Sequence, residues 1–392
     1  MPKIAIVAGE ASGDLLGSHL IRALKAQRSD LTFVGIAGPK MMAEGAKSLF
    51  SIENLSVRGY VEVLKHLYGL LKLRKNLFQQ LLTEKPALFI GVDAPDFNLW
   101  LERKFKQKGI TAIHYVSPSI WAWRGGRVAK IKRAVSHILA LFPFEPVLYE
   151  AANVPVTYVG HPLADEMPLE PNTQAARETL KIKQDKLVVA MLPGSRQSEV
   201  KQHARLFVKT AYLLTKQQIA DPTLPAEFHP IQFLVPLITR ETREIFEHAI
   251  HDSYAEYPNV ELNLQILFGH AHDAMEAADI VIVASGTATL EAALLKKPMV
   301  ITYRMPALSW WILKRMRYQP FVGLPNILAG KFLVPELLQH EATPQNLSDA
   351  TTRLLSDTNY CAEIKKIFTN IHLNLKQNTA EKAAAVILSY IK

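Results

Sequence analysis

The sequence predicts an α/β protein built from two Rossmann-like domains that face a central cleft. Three observations predict it. Short, continuously apolar runs of strand length recur along the chain, among them Lys3–Ala8, Ala87–Val92 and Leu187–Leu192. Continuous rather than alternating apolar strands belong to parallel sheets buried on both faces. Several of these runs end in a glycine turn and pass into helical spacing, the strand–turn–helix unit of α/β folds. A length of 392 residues also exceeds what one core of ordinary size organises. The expected division is 1–165 for the first domain, 166–355 for the second, and 356–392 for C-terminal helices that return to the N-terminal domain.

Composition narrows the class. Apolar residues make up 49% and charged residues 21%, as in ordinary globular proteins. The single cysteine, Cys361, excludes an intrachain disulfide or a cysteine metal cluster and fits a reducing compartment. Ile4–Ala8 is too short for a signal-peptide core. The strongest candidate for a membrane span, residues 277–295, is broken by Asp279, Gly286 and Glu291. A formal charge of +9 points to an anionic partner: nucleic acid, a lipid surface or a phosphorylated small molecule. The basic residues are scattered over βα units with no base-stacking motif, which argues against nucleic acid.

In the first half, the strand Lys3–Ala8 ends in Gly9-Glu10-Ala11-Ser12-Gly13-Asp14 before a helix over Leu15–Ala26. The glycine spacing matches neither a Walker loop nor the dinucleotide fingerprint. Glu10 reads equally as a helix cap or dipole partner and as a ligand group at the strand end. A second strand is expected at Leu31–Ala37. Tyr60–Leu82 is a long helical segment in which Leu64, Leu67, Leu70 and Leu71 alternate with Lys65, Lys72, Arg74 and Lys75. It reads as a core helix with a basic face or as a helix that enters a lipid interface. The strand Ala87–Val92 ends in Asp93-Ala94-Pro95-Asp96-Phe97-Asn98. An acid at the carboxyl end of a parallel strand sits where α/β folds hold ligands, and Pro95 restricts the turn. Asp96 reads alternatively as the cap of the next helix. No histidine or third acid lies near enough in sequence to make a metal pair. Thr111–Val116 leads to Trp121, Trp123, Arg124 and Arg127, a wall for a sugar or acyl group or a packing interface. His137–Leu141 and Val156–Val159 complete the first sheet. His161 follows, next to Pro162.

The second half restarts at Leu187–Leu192. Pro193-Gly194 stops this strand, and Ser195 or Ser198 caps a helix over Ser198–Leu214. Backbone N–H groups at such a turn favour an anion, and Arg196 adds a fork of donors suited to phosphate. Strands are expected at Ile231–Pro236, Val260–Leu264, Asp279–Val283 and Pro298–Tyr303, with a helix over Arg240–His251. After Asp279–Val283 come Ser285, Gly286 and Thr287, a third glycine turn with hydroxyls suited to phosphate. Glu291 shares a helix face with Thr287 at i, i+4, and its carboxylate suits a ribose diol. Aromatic and basic residues mix over 307–318, which fits a protein or lipid interface. Asn326, in the loop Gly323–Gly330, is a candidate hydrogen-bonder to a ligand. Two helices, Cys361–Lys376 and Thr379–Ile391, close the chain.

Six stretches, taken in order, resemble the lipid-A-disaccharide synthase family. They are Val7-Ala8-Gly9-Glu10-Ala11-Ser12-Gly13-Asp14, Gly91-Val92-Asp93-Ala94-Pro95-Asp96-Phe97-Asn98, the run from His114 to Trp123, Leu192-Pro193-Gly194-Ser195-Arg196, the run from Ala284 to Glu291, and Leu324-Pro325-Asn326-Ile327-Leu328-Ala329-Gly330. The resemblance runs from Lys3 to about Leu338, and beyond that the tail matches only in being helical. It implies a GT-B fold and an inverting transferase that uses neither metal nor cofactor. The implied donor is UDP-2,3-diacylglucosamine and the implied acceptor 2,3-diacylglucosamine 1-phosphate, giving a β-1,6 disaccharide and UDP. In such a fold the nucleotide sits on the second domain and the acceptor on the first. Asp93 is then the expected base, with Glu10 the second candidate. Arg196, Ser195 and the turn at Ser285, Gly286 and Thr287 would hold the diphosphate, Glu291 the ribose, and Asn326 and Trp123 the remaining substrate. Leu64, Leu67, Leu70 and Leu71 would touch an anionic membrane surface, which places the protein in the cytoplasm on the inner face of the inner membrane. A homodimer stays open. The alternative is another GT-B enzyme on UDP-N-acetylglucosamine, a muramyl-type transferase or a 2-epimerase.

Overall fold

A computed structural model of the chain describes residues 1–55, 60–118, 120, 125–220, 231–307, 310–311, 315 and 319–391, with backbone only along 60–67, 125 and 218–220. The chain forms two compact units, residues 1–166 with 374–392, and residues 167–373.

The first unit is built on a seven-stranded sheet. Its strands are β1 Lys3–Ala8, β2 Thr32–Ile36, β3 Ala46–Ser48, β4 Leu88–Val92, β5 Thr111–Tyr115, β6 His137–Ala140 and β7 Val156–Tyr158. The order is β3-β2-β1-β4-β5-β6-β7, and every pairing is parallel. The two-residue period of a strand explains the double burial. Ile4 and Ile6 point into one cluster with Leu20, Ile21, Ala383 and Ile387. Ala5 and Val7 point to the other face, with Phe89, Phe105 and Leu77. The second unit has β8 Val188–Leu192, β9 Gln232–Leu237, β10 Leu264–Phe268, β11 Ile280–Ala284, β12 Met299–Tyr303 and β13 Glu336–Leu338. Their order is β10-β9-β8-β11-β12-β13, again parallel throughout.

Each sheet therefore reverses its direction of growth once, between β1 and β4 and between β8 and β11. A crevice opens at such a reversal outside the carboxyl ends of the strands, and α/β proteins bind ligands there. The candidate residues follow these four strands: Glu10 follows β1, Asp93 follows β4, Ser195 and Arg196 follow β8, and Ser285 to Thr287 follow β11.

Three expectations change. The tail is not one segment. Helix Thr358–Leu375 runs with the second unit as far as Leu373, where His372 is fully buried beside Lys296. Only the chain from Asn374 joins the first unit, where helix Thr379–Leu388 buries Ala383, Ala384 and Ile387. The strand expected at Val260–Leu264 lies at Leu264–Phe268 instead. The three-residue edge strands β3 and β13 are additional, too short to give a run.

Candidate functional site

In the first unit, β1 and β4 are paired in register, Ala8 beside Val92, so the turns that follow them are neighbours. A Cβ on Gly9 would stand 2.4 Å from the Cβ of Ala94, so only glycine permits this approach. Glu10 and Asp93 are thereby brought to adjoining turns. Glu10 is exposed and extended at the N-cap of helix Ala11–Gln27, and its carboxylate makes no capping hydrogen bond. The capping reading of this acid does not hold. Asp14 is the structural acid of the motif: buried, it accepts the N–H groups of Lys40 and Met41 at 3.0 Å each.

Asp93 is half-buried and left-handed at φ 52°, and Ala94 follows at φ 43°. Val116, after the neighbouring β5, also has a positive φ, of 80°. Left-handed backbone costs a non-glycine residue roughly 1–2 kcal/mol, and such strain gathers at functional sites. The turn is over-determined from both sides. The Asp93 N–H donates to the Tyr115 carbonyl at 2.8 Å, and the Asp93 carbonyl accepts from Asn98 Nδ2 at 2.8 Å. Asp96 does not cap its helix, whose N-cap is Ala94; its exposed carboxylate pairs with Arg127. Beside it the Arg74 guanidinium lies 4.7 Å from the Trp100 ring. Leu70 is half-buried and Leu71 exposed; the side chains of Leu64 and Leu67 lie outside the described residues, as does Trp123.

In the second unit the turn after β8 needs Gly194 at φ 127°. The amides expected to be available for an anion already have one. Glu199 Oε2 accepts the N–H of Ser195 at 3.0 Å and of Arg196 at 3.2 Å, and Arg196 Nη1 meets Glu199 Oε1 at 3.2 Å. A diphosphate at this turn competes with the protein's own carboxylate. Arg196 and Ser195 are nonetheless exposed. After β11, the Ser285 N–H is taken by the Thr302 carbonyl at 2.9 Å, while Gly286 and Thr287 lie exposed at the amino end of helix Thr287–Leu294. Glu291 is half-buried in that helix, and its carboxylate forms no hydrogen bond or ion pair with the described residues. Burial raises its pKa above the ordinary carboxylate range, with His272 acting in the opposite sense.

Asn326 is corrected. It is fully buried, and its amide is saturated by the protein. Nδ2 donates to Val334 O at 2.9 Å and Glu336 Oε1 at 2.8 Å, and Oδ1 accepts from Leu333 N at 2.8 Å and Val334 N at 2.9 Å. Its four hydrogen-bonding positions are used, so it shapes its loop and has none left for a ligand.

The family model described as Lipid-A-disaccharide synthetase matches residues 4–391. The chain belongs to the lipid-A-disaccharide synthase family. A lipid-A-disaccharide synthase from Methylobacillus flagellatus is 63% identical over 392 residues, all of both chains. One from Azoarcus sp. is 58% identical over 391 residues, 100% of this chain and 96% of the relative. The match to residue 391 extends the family likeness past Leu338, through the tail where the motifs had given none. Among solved structures, the UDP-GlcNAc 2-epimerase from Neisseria meningitidis, bound to UDP-GlcNAc, has TM-score 0.60 at 13% identity, covering 99% of this chain and 98% of its own. The glycotransferase of kitacinnamycin has TM-score 0.62 at 14% identity over 100% of both chains. These likenesses show the fold, which is of GT-B type.

Membership of the lipid-A-disaccharide synthase family makes the chain a glycosyltransferase of lipid A biosynthesis, with a UDP-sugar donor and a lipid acceptor. No helix among the described residues is long and apolar enough to cross a membrane. Some residues that shape the site were not singled out from sequence. Glu199 lies three residues after Arg196, where a helix-entry acid reaches back to its own turn. His114 inside the apolar strand Thr111–Tyr115, and Glu102 on the buried face of helix Pro95–Gln107, each carried a signal. A polar group in an apolar run needs a partner.

Proposed function

We propose that this chain transfers a 2,3-diacylglucosamine unit from UDP to the 6-hydroxyl of 2,3-diacylglucosamine 1-phosphate. Inversion at the anomeric carbon gives the β-1,6 disaccharide 1-phosphate and UDP. One observation carries the reading: the candidate acids lie where the first sheet reverses, and the candidate phosphate and ribose groups where the second does. Asp93 takes the proton of the acceptor hydroxyl, whose oxygen forms the bond to the anomeric carbon. The bond from that carbon to the diphosphate oxygen breaks, and UDP leaves with the electron pair. Asp93 has to approach the hydroxyl to about 2.6–3.2 Å for this transfer. Glu10, on the adjoining turn, orients the acceptor or shares the proton. Arg196 and the exposed turn at Gly286 and Thr287 neutralise the leaving diphosphate; one such preorganised donor is worth about 2.7–4 kcal/mol of barrier. Ser195 and Ser285 support these turns, and Glu291 accepts from the ribose hydroxyls. The chemistry needs no metal ion, so activity survives excess chelator. The lipid acceptor implies attachment to an anionic membrane surface.

The test is incubation with both lipid substrates and mass analysis for the disaccharide. An epimerase would form no glycosidic bond, and absence of the disaccharide would overturn the reading. Asp93→Asn is nearly isosteric and cannot accept the proton. Its kcat is expected to fall roughly 10²–10⁴-fold with UDP binding retained. Near-normal turnover would transfer the role to Glu10.

A further inference from the structure

Beneath the Asp93 turn lie three polar side chains with no solvent exposure: Asn98, Glu102 and His114. Asn98 and Glu102 are one helical turn apart in helix Pro95–Gln107, on the face that meets β4. That face is admitted by Gly91. A Cβ there would stand 2.1 Å from Glu102 Oε1 and 2.9 Å from the Cβ of Asn98. His114 is the register partner of Gly91 on β5. Glu102 thus reaches across the glycine gap, and its Oε1 meets His114 Nδ1 at 2.6 Å. Burial alone would lower the His114 pKa, but the Glu102 carboxylate, with a smaller contribution from Asp93, holds it above the ordinary value.

This cluster is costly. Glu102 Oε2, His114 Nε2 and Asn98 Oδ1 are buried without a hydrogen-bond partner among the described residues. A buried pair of this kind is often replaced by apolar residues with no loss of stability. Stability therefore does not explain its presence, whereas the contacts of Asn98 do. Its Nδ2 lies 2.8 Å from the Asp93 carbonyl, 3.4 Å from that of Val92 and 3.3 Å from that of Val7. One amide thus joins the ends of both strands that carry the candidate acids.

We propose that Asn98, clamped by the buried Glu102–His114 pair across Gly91, is a positioning residue that holds the Asp93 turn left-handed and so aims its carboxylate. This rests on the reading of Asp93 as the base. The geometry makes two demands on the cluster. The pair fixes the depth and rotation of the helix on the sheet, and Asn98 transmits that placement to the Asp93 carbonyl. Misplacing a reacting group by about 1 Å costs on the order of 10²-fold in rate.

The experiment uses the full chain with both lipid substrates. It compares Asn98→Ala, Asn98→Ser as a smaller disturbance, Asp93→Asn, the double variant Asn98→Ala/Asp93→Asn, and the apolar exchange Glu102→Leu/His114→Leu. Thermal melts and UDP calorimetry accompany kcat and KM. Asn98→Ala should lower kcat roughly 10- to 100-fold, with KM and UDP affinity within about twofold. On the Asp93→Asn background it should add less than about twofold, because the group it aims is already silent. The Leu/Leu exchange should melt like the parent and still lose at least about tenfold in kcat, which a merely structural pair would not. If Asn98→Ala does not fold, Asn98→Ser takes its place in the same cycle. Additive losses, or parental kcat in the folded Asn98 variants beside a crippled Asp93→Asn, overturn the positioning role alone. Normal turnover in Asp93→Asn overturns the base assignment itself, and with it this role.

Discussion

A half-buried carboxylate with no protein partner loses hydration and gains nothing in return until a ligand supplies donors. The Glu291 carboxylate has no such partner among the described residues, and burial raises its pKa. Arg196→Ala and Glu291→Ala should both weaken UDP binding by calorimetry, through phosphate and ribose respectively. Unchanged affinity in both would remove the nucleotide from this turn. The pH dependence has a definite sign. In the proposed role the Glu291 anion accepts both ribose hydroxyls, which the protonated acid does less well, and burial raises its pKa above the ordinary carboxylate value. UDP affinity should fall on acidification sooner than an ordinary carboxylate would allow, and Glu291→Gln should flatten that part of the profile. His161 gives a second pH prediction, on stability. Its Nδ1 accepts the Leu163 N–H at 3.3 Å, which requires the neutral ring, and burial pushes its pKa down to about 4 from 6.5. Between those values the unfolded chain takes up a proton that the folded chain refuses. Its contribution is complete above pH 6.5 and is lost as pH falls toward 4, by roughly 3 kcal/mol at most. Melts at pH 7 and pH 5 should converge in His161→Gln; an unchanged gap would reject this source. At this scale, residue type was legible and commitment was not. Asn326 and Glu291 are both polar residues near glycine turns, but only the fold shows that one is saturated and the other bare.

The strands were legible because a parallel sheet buried on both faces writes an apolar run. The shifted β10 shows the limit. Val260–Leu264 and Leu264–Phe268 are both apolar enough, and pairing with β9 decides in favour of the second. The helix Tyr60–Thr83 carried too many leucines for one narrow stripe, and the structure divides them along its length. Its C-terminal part buries Leu77, Phe78 and Leu81 in the core, while Tyr68 is 79% and Leu71 46% exposed. The core reading therefore holds for the C-terminal part, and the exposed part is where the proposed lipid contact would have to lie. Ser at Leu67, Leu70 and Leu71 should reduce sedimentation with anionic vesicles while UDP binding survives. For the exposed Leu71 the stability cost should stay within about 0.5 kcal/mol. Leu77→Ala should instead cost about 2–5 kcal/mol and show in the melt. If the proposed contact forms, Lys72, Arg74 and Lys75 should each add about 1 kcal/mol of attraction to an anionic surface, and binding should be reversible and salt-sensitive. A folded triple variant that still sediments with vesicles would exclude this helix as the membrane contact.

Across the whole molecule, the chain crosses from the first unit to the second after Glu166 and returns at Asn374. Sequence periodicity marks the last helices but not their allegiance, because that depends on which surface is left uncovered by all that precedes them. One acid caps the returning helix. Asp165 accepts the N–H groups of Asn378 at 2.9 Å and Thr379 at 2.7 Å, capping the helix Thr379–Leu388 from a residue more than 200 positions earlier. That helix then places Ala383, Ala384 and Ile387 in the cluster of Ile4, Leu20 and Ile21, and Tyr390 Oη lies 3.0 Å from His137 Nδ1. The last residues are thus part of the first unit's core. Truncation after Leu373 should expose this cluster and lower the melting temperature of the first unit, or abolish its folding. UDP binding, assigned to the second unit, should persist. Asp165→Asn removes the charge of the cap and one of its two acceptor oxygens. It should cost about 0.5–2 kcal/mol, a few degrees in melting temperature for a unit of this size. A truncated chain whose first unit melts like the parent would show that the terminal helix contributes nothing to that core. Loss of UDP binding in a truncated chain whose second unit stays folded would show that the nucleotide site depends on the first unit.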